Sequence, residues 1–227
     1  MPAGEWRLSY SVATARGVLA QAALAVRADA RFFAAAVLML SLPQVAADML
    51  LGEREATGIA MILGFATLYV QLLVTFRTLD HAGAAPPGYT RANATEGRFP
   101  TAFAASFVSG IGMLIGLILF VVPGVIAFLL WSLTLPVIAA ERLSAMASLR
   151  RSVALARAHL ATLALVGLAI ALAIIGALGI SLAADLLPEP AGALAFSLWL
   201  NLSVSAILLF GAVAWARAYL ALRSAAA

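Results

Sequence analysis

Six long apolar runs, separated by short connectors that carry the charge, set the pattern of this chain. They lie near Phe32–Leu51, Ala56–Leu79, Ala102–Val122, Gly124–Ala140, Leu160–Leu187 and Ala191–Tyr219. Each approaches or exceeds the roughly 20 residues a helix needs to cross about 30 Å of hydrocarbon. The stretch from Thr101 to Ala140 is nearly uncharged and is broken once, at Pro123-Gly124. As a single helix it would measure about 60 Å, twice the hydrocarbon thickness. Proline lacks an amide hydrogen and glycine permits turn geometry, so the pair predicts the turn of a hairpin joining two spans.

Two further segments predict amphipathic helices at the membrane surface. In residues 8–28, Leu8, Val12, Ala15, Leu19, Ala22 and Val26 recur every three or four positions, with Arg16 and Arg27 off that stripe. In residues 141–159, Leu143, Met146 and Val153 share a side with the following Leu160, within a segment that also carries Arg142, Arg150, Arg151 and Arg157. An arginine-bearing helix thus precedes a helical pair twice, a hint of internal duplication. Residues 80–98 are rich in Gly, Pro and Ala and predict a connecting loop.

The predicted fold is therefore all-α. It is a single polytopic membrane bundle over residues 1–227, with six transmembrane helices and two amphipathic interfacial helices. Helices 1–2 occupy 32–79, the 3–4 hairpin 101–140, and helices 5–6 occupy 160–219. With two spans in the 101–140 run, both termini and the 2–3 and 4–5 loops share one side. Of the 14 basic residues only Arg54 then falls opposite, beside Asp48, Glu53, Glu55, Asp185 and Glu189. A single span there would flip everything after residue 140 and dissolve the asymmetry. The positive-inside rule thus predicts a multi-pass protein of the cytoplasmic membrane with both termini cytoplasmic.

Composition agrees with a lipid solvent: 64% hydrophobic residues, 11% charged and a mean hydropathy of +1.06 leave too little charge to clothe a soluble domain. The sequence pI of about 10.3 comes from arginines in membrane connectors, so nucleic acid is not an expected partner. With no cysteine, a disulfide, a thiolate metal site and a cysteine nucleophile are all excluded. The first apolar run begins behind some thirty mixed residues, which is the wrong shape for a cleaved signal peptide and predicts a retained amino terminus.

Within residues 116–160, Val122-Pro123-Gly124 is followed by LPVIAAER (Leu135 to Arg142) and LRRSVALARAHL (Leu149 to Leu160). This order resembles the membrane domain associated with bacterial glycerophosphodiester phosphodiesterases, and related six-helix membrane proteins of unassigned activity. The family commonly has Trp after the serine and Gly near the helix end, where this chain has Val153 and Ala158. The resemblance implies a membrane domain that accompanies a catalytic domain in some relatives. It does not imply phosphodiesterase chemistry, which needs paired carboxylates, a histidine pair and a divalent metal on a soluble barrel. Here His81 and His159 fall in separate segments.

Polar groups inside spans are the natural candidates for function, because burying them costs free energy unless they are paired. Asn201 lies in span 6 with Ser197 and Ser205 one turn either side. Gln71 in span 2, with Thr67, Thr75 and Thr78, needs an external partner, for which Gln44 or Asn201 are the candidates. Gln44, Gln71 and Asn201 form either a polar path or a packing stripe. Asp48, near the outer end of span 1, is either interfacial or proton-coupling. Gly112, Gly116, Gly167, Gly176 and Gly179 suit close helix approach. Trp215 and Tyr219 read as interfacial belt anchors, and Glu141-Arg142 as a local ion pair. Arg150, Arg151 and Arg157 either contact anionic lipid head groups or serve topology alone.

No serine elbow, HExxH motif or intramembrane carboxylate pair is present, so an enzyme, including a lipid-modifying one, is disfavoured and no cofactor or metal is expected. The expected function is a non-catalytic integral membrane protein: a scaffold, regulator or lipid-associated component. Its expected partners are membrane lipids and other membrane proteins or a second copy. A small transporter or permease-like subunit is the alternative.

Overall fold

The computed structural model describes residues 14–86, 88 and 95–225, and all regular structure among them is helical. Leu8 and Val12 of the first predicted stripe lie outside the described residues. Six helical segments are long and apolar enough to cross a membrane, as the sequence pattern predicts. They are α2 (Ala30–Leu50), α3 (Glu53–His81), α4 (Phe99–Leu119), the consecutive α5 (Val121–Trp131) and α6 (Thr134–Glu141), α8 (Leu160–Ser181) and α9 (Ala191–Ala225). The shorter α1 (Ala15–Ala28) precedes α2, α7 (Ala145–Arg157) links α6 to α8, and a 3-10 turn at Leu182–Leu186 follows α8. Six crossings bring α1, α7 and the end of α9 to one end of the bundle, the arginine-rich end.

Large apolar side chains such as Leu38, Met61, Ile118, Leu172 and Ile175 face outward along the spans. In water this surface would be an aggregation liability; in lipid it is the solvated face. The interior is built around α9, which packs against α1, α2, α3, α6 and α8. Its last turns are buried nearly all round, through Ala212, Val213, Ala214, Ala216, Ala218, Tyr219 and Leu222. Alanine dominates there because, in lipid, close backbone approach and dispersion hold helices together.

The hairpin turns three residues earlier than predicted. Phe120, in extended conformation (φ −161°, ψ 146°), joins α4 to α5, whereas Pro123-Gly124 lies inside the first turn of α5. Proline is tolerated there because the first turn of a helix has no intrahelical partner for its N–H groups. Gly124 has a packing role. A Cβ added to Gly116 of α4 would stand 2.9 Å from both Cα and N of Gly124, so the two glycines let the backbones touch. Gly112 makes similar room for the Trp131 ring.

The predicted fourth span is interrupted at Ser132-Leu133, between α5 and α6. Pro136 has no N–H to offer the Ser132 carbonyl one turn back, which weakens the helix at that point. The Ser152 hydroxyl of α7 donates to the Leu130 carbonyl (2.7 Å), and Ser132 Oγ donates to Leu129 O (2.9 Å). This polar demand decides which face of α7 turns inward. Ser148, Leu149, Ser152, Leu155 and Ala156 are buried, while Met146 of the predicted stripe is exposed. On α1, Ala22 of the predicted stripe is buried and Ala15, Leu19 and Val26 pack partly buried beside the core, but the fully buried face also takes in Val18 and Ala25, which the stripe left out. α1 is docked on α8 and α9, and Arg77 of α3 anchors its end by pairing with Asp29 (Nη2–Oδ2 2.5 Å) while stacking 4.1 Å over Phe32.

Candidate functional site

Ser41, Gln44 and Asp48 follow one another at helical spacing on α2 and face Ser197 and Asn201 of α9. Asp48 sits two residues before the end of α2, away from the arginine-rich end. Its Oδ1 accepts from Gln44 Nε2 (2.6 Å), and its Oδ2 accepts from Ser197 Oγ (2.6 Å) and Asn201 Nδ2 (3.2 Å). Asn201 Nδ2 also donates to the Ser197 carbonyl one turn back (2.9 Å). Ser41 Oγ bonds to the carbonyls of Val37 (2.7 Å) and Asn201 (3.0 Å). The cluster staples α2 to α9 and leaves the Asp48 carboxylate exposed at the edge of a groove of about 450 Å³ between α2 and α3.

Gln71 does not join this cluster, contrary to the expectation that Gln44 or Asn201 would satisfy it. Those two side chains are drawn to the carboxylate, a stronger acceptor than an amide. Gln71 instead lines an intramembrane cavity of about 490 Å³ bounded by α3, α4, the α5–α6 break, α8 and α9. No hydrogen bond of the Gln71 side chain is formed among the described residues. Thr134 Oγ1, on the same wall, is buried and also unpaired. The neighbouring Thr75 and Ser109 hydroxyls satisfy themselves on backbone carbonyls of their own helices. The other walls are apolar and aromatic, from Met113, Phe128, Trp131, Ile170, Leu208 and Trp215. The cavity has the size and character of a small-molecule site: mostly apolar, with a few polar groups on one side.

Trp215 is therefore not a belt residue. It packs edge-on against Phe128 (centroids 6.0 Å apart) beside the cavity. Tyr219 is fully buried and donates to Glu141 Oε1 (2.9 Å). Both corrections have one cause: α9 packs against α1, α2, α3, α6 and α8, so its residues from 212 to 222 are mostly enclosed by protein, and Arg223 and Ser224 beyond them are exposed. Glu141 pairs with Arg151 (Oε2–Nε 3.1 Å) rather than with Arg142, whose backbone is left-handed (φ 54°) in the turn after α6. Of the predicted head-group arginines, Arg151 is thus engaged, while Arg150 and Arg157 are exposed and form no ion pair among the described residues. At the foot of α4, burial and then the neighbouring Arg142 cation lower the pKa of Arg98.

Sequence reasoning missed Ser41, Thr134 and Ser152. The spacing of Ser41, Gln44 and Asp48 on one helical face was a readable signal for the first; the other two depend on the α5–α6 break. No group of three or more histidine, aspartate or glutamate side chains converges among the described residues. No protein-family model matches the chain, and no curated protein or solved structure does so either.

Proposed function

We propose that this chain is a non-catalytic, lipid-associated component of the bacterial cytoplasmic membrane, related to the six-helix proteins its 116–160 segment resembles. In this reading the intramembrane cavity holds one lipid-like amphiphile, with the arginine-rich end and both termini in the cytoplasm. The cavity carries the proposal. A volume of about 490 Å³ lined by aliphatic and aromatic side chains suits an acyl or isoprenoid chain, and the unpaired Gln71 amide and Thr134 hydroxyl suit a polar group on it. Leaving such groups unpaired in a low-dielectric interior costs about 1–3 kcal/mol each, so an occupant that bonds to them binds with that gain. The exposed Arg150 and Arg157, and the mutually repelling Arg98 and Arg142, add an anion-attracting surface at head-group level.

Native mass spectrometry of the protein released from lipid nanodiscs tests this. At least one lipid should remain bound per chain after detergent exchange. Gly211→Phe, whose ring would enter the cavity past Ile170, should lower the number of lipids retained per chain by one, and Gln71→Leu should weaken retention of that lipid. A folded Gly211→Phe protein that retains as many lipids per chain as the wild type would refute the proposal.

A further inference from the structure

We propose that the Asp48 groove is a primary-ammonium site, independent of the lipid cavity and at the end of the bundle opposite the arginine-rich one. Asp48 receives hydrogen bonds only from neutral donors, the Gln44 amide, the Ser197 hydroxyl and the Asn201 amide. Among the described residues no basic side chain pairs with it, and Arg54, the cation at that end, makes no ion pair. The carboxylate is held in place but its charge is uncompensated. Its three donors leave lone-pair capacity on Oδ1, the oxygen with one bond, because a carboxylate offers about four acceptor positions. The neighbouring Gln44 Oε1 is buried and has no donor. Asp48, Gln44 and Thr57 border the groove, and its other walls are Leu51, Ala56 and Ala60.

This set of groups selects its ligand by chemistry. Among the described residues one carboxylate and neutral oxygens line the groove, too little anionic charge to dehydrate a divalent cation, which takes several oxygen ligands. A quaternary ammonium has no N–H to give and is ordinarily held by aromatic faces, and among the described residues no aromatic side chain borders the groove. A primary ammonium has three donors for a charged oxygen and the neutral acceptors beside it. Asp48 lies within the last turn of α2, and alanines at 56 and 60 of α3 line the groove beside it; the end of a span about 20 residues long falls where the hydrocarbon gives way to head groups. An ethanolamine-type phospholipid and a soluble primary amine share this chemistry.

The experiment uses the full chain in nanodiscs. Retention of phosphatidylethanolamine is compared with that of its N-trimethylated counterpart, phosphatidylcholine, at equal mole fraction. The wild type should prefer the primary amine about tenfold, the scale of one hydrogen bond to a charged group. Asp48→Asn keeps the shape and the acceptor oxygen but removes the charge, and should bring the ratio to about one. Ala60→Phe, which narrows the groove while leaving the Asp48 hydrogen bonds in place, should do the same and guards against misfolding of the first variant. Gly211→Phe should leave the ratio unchanged, which separates this site from the cavity. Displacement of the lipid by free ethanolamine would assign the ammonium site to soluble amines. Equal retention of the two lipids by the wild type, with no protection by free ethanolamine, would overturn the proposal, as would an unaltered preference in folded Asp48→Asn.

Discussion

Gly116→Ala probes the contact on which the central hairpin depends. The added Cβ would stand 2.9 Å from Cα and N of Gly124 and 3.2 Å from the carbonyl carbon of Pro123. All three are backbone atoms, so no side-chain rotation can relieve the clash. Ordinary van der Waals contact begins at 3.4 Å, so α4 and α5 must part by about half an ångström along their closest approach. Overpacking of this kind costs about 1–3 kcal/mol. The better helix propensity of alanine returns about 0.5–1 kcal/mol. A net loss of up to about 2.5 kcal/mol is therefore expected, and a deficit of about 1–3 kcal/mol against a glycine-to-alanine change made in open space. Gly176→Ala in α8 is the matched control, because nothing lies within 4 Å of its added Cβ. It should gain the propensity term alone and be neutral or slightly stabilised. Both variants are compared by reversible unfolding in mixed micelles. The absence of native cysteine also allows an engineered cysteine pair across α4 and α5 to report their spacing. If Gly116→Ala is as stable as Gly176→Ala and the spacing is unchanged, the close-approach reasoning fails.

Ser152→Ala should leave the Leu130 carbonyl at the helix break without its donor, lowering stability by about 1–3 kcal/mol in the same unfolding assay. The exposed Ser144→Ala should have no effect and serves as its control. Tyr219→Phe should cost about 1–2 kcal/mol, because Glu141 loses its bond from a fully buried donor. Arg151→Gln, whose side chain is 43% exposed, should cost less than about 1 kcal/mol, and the reverse order of the two would show that the ion pair, not the hydroxyl, holds Glu141.

Hydrophobic periodicity and charge were enough to read the six spans, the two short helices and the even number of crossings from the chain alone. Run length is set by bilayer thickness and arginine placement by topology, and both are written locally along the chain. The α1 stripe was partly legible for the same reason, since apolar residues spaced three or four apart share a face whatever they pack against. Polar residues behaved differently. Serine and glutamine carry no local signal of whether they satisfy their own helix, a neighbour or a ligand. Ser152 became a buried cap only because Pro136 broke the facing helix, and that made a serine-bearing face of α7 the inner one. Pro123-Gly124 was visible as a discontinuity, but its use as a packing surface required Gly116 to meet it from the antiparallel helix of the hairpin, α4. Gln44, Gln71 and Asn201 looked equivalent as intramembrane amides. The approach of α2 to α9 drew two of them to Asp48, and the gap beside the α5–α6 break left the third facing a cavity. The chain thus determined by itself where it crosses a membrane and how many times, because those depend on free energies of transfer summed along the sequence. Which polar groups are spent on holding helices together, and which stay free for a ligand, was decided only by tertiary structure, because hydrogen bonds are short-ranged and need a partner brought from elsewhere in the chain.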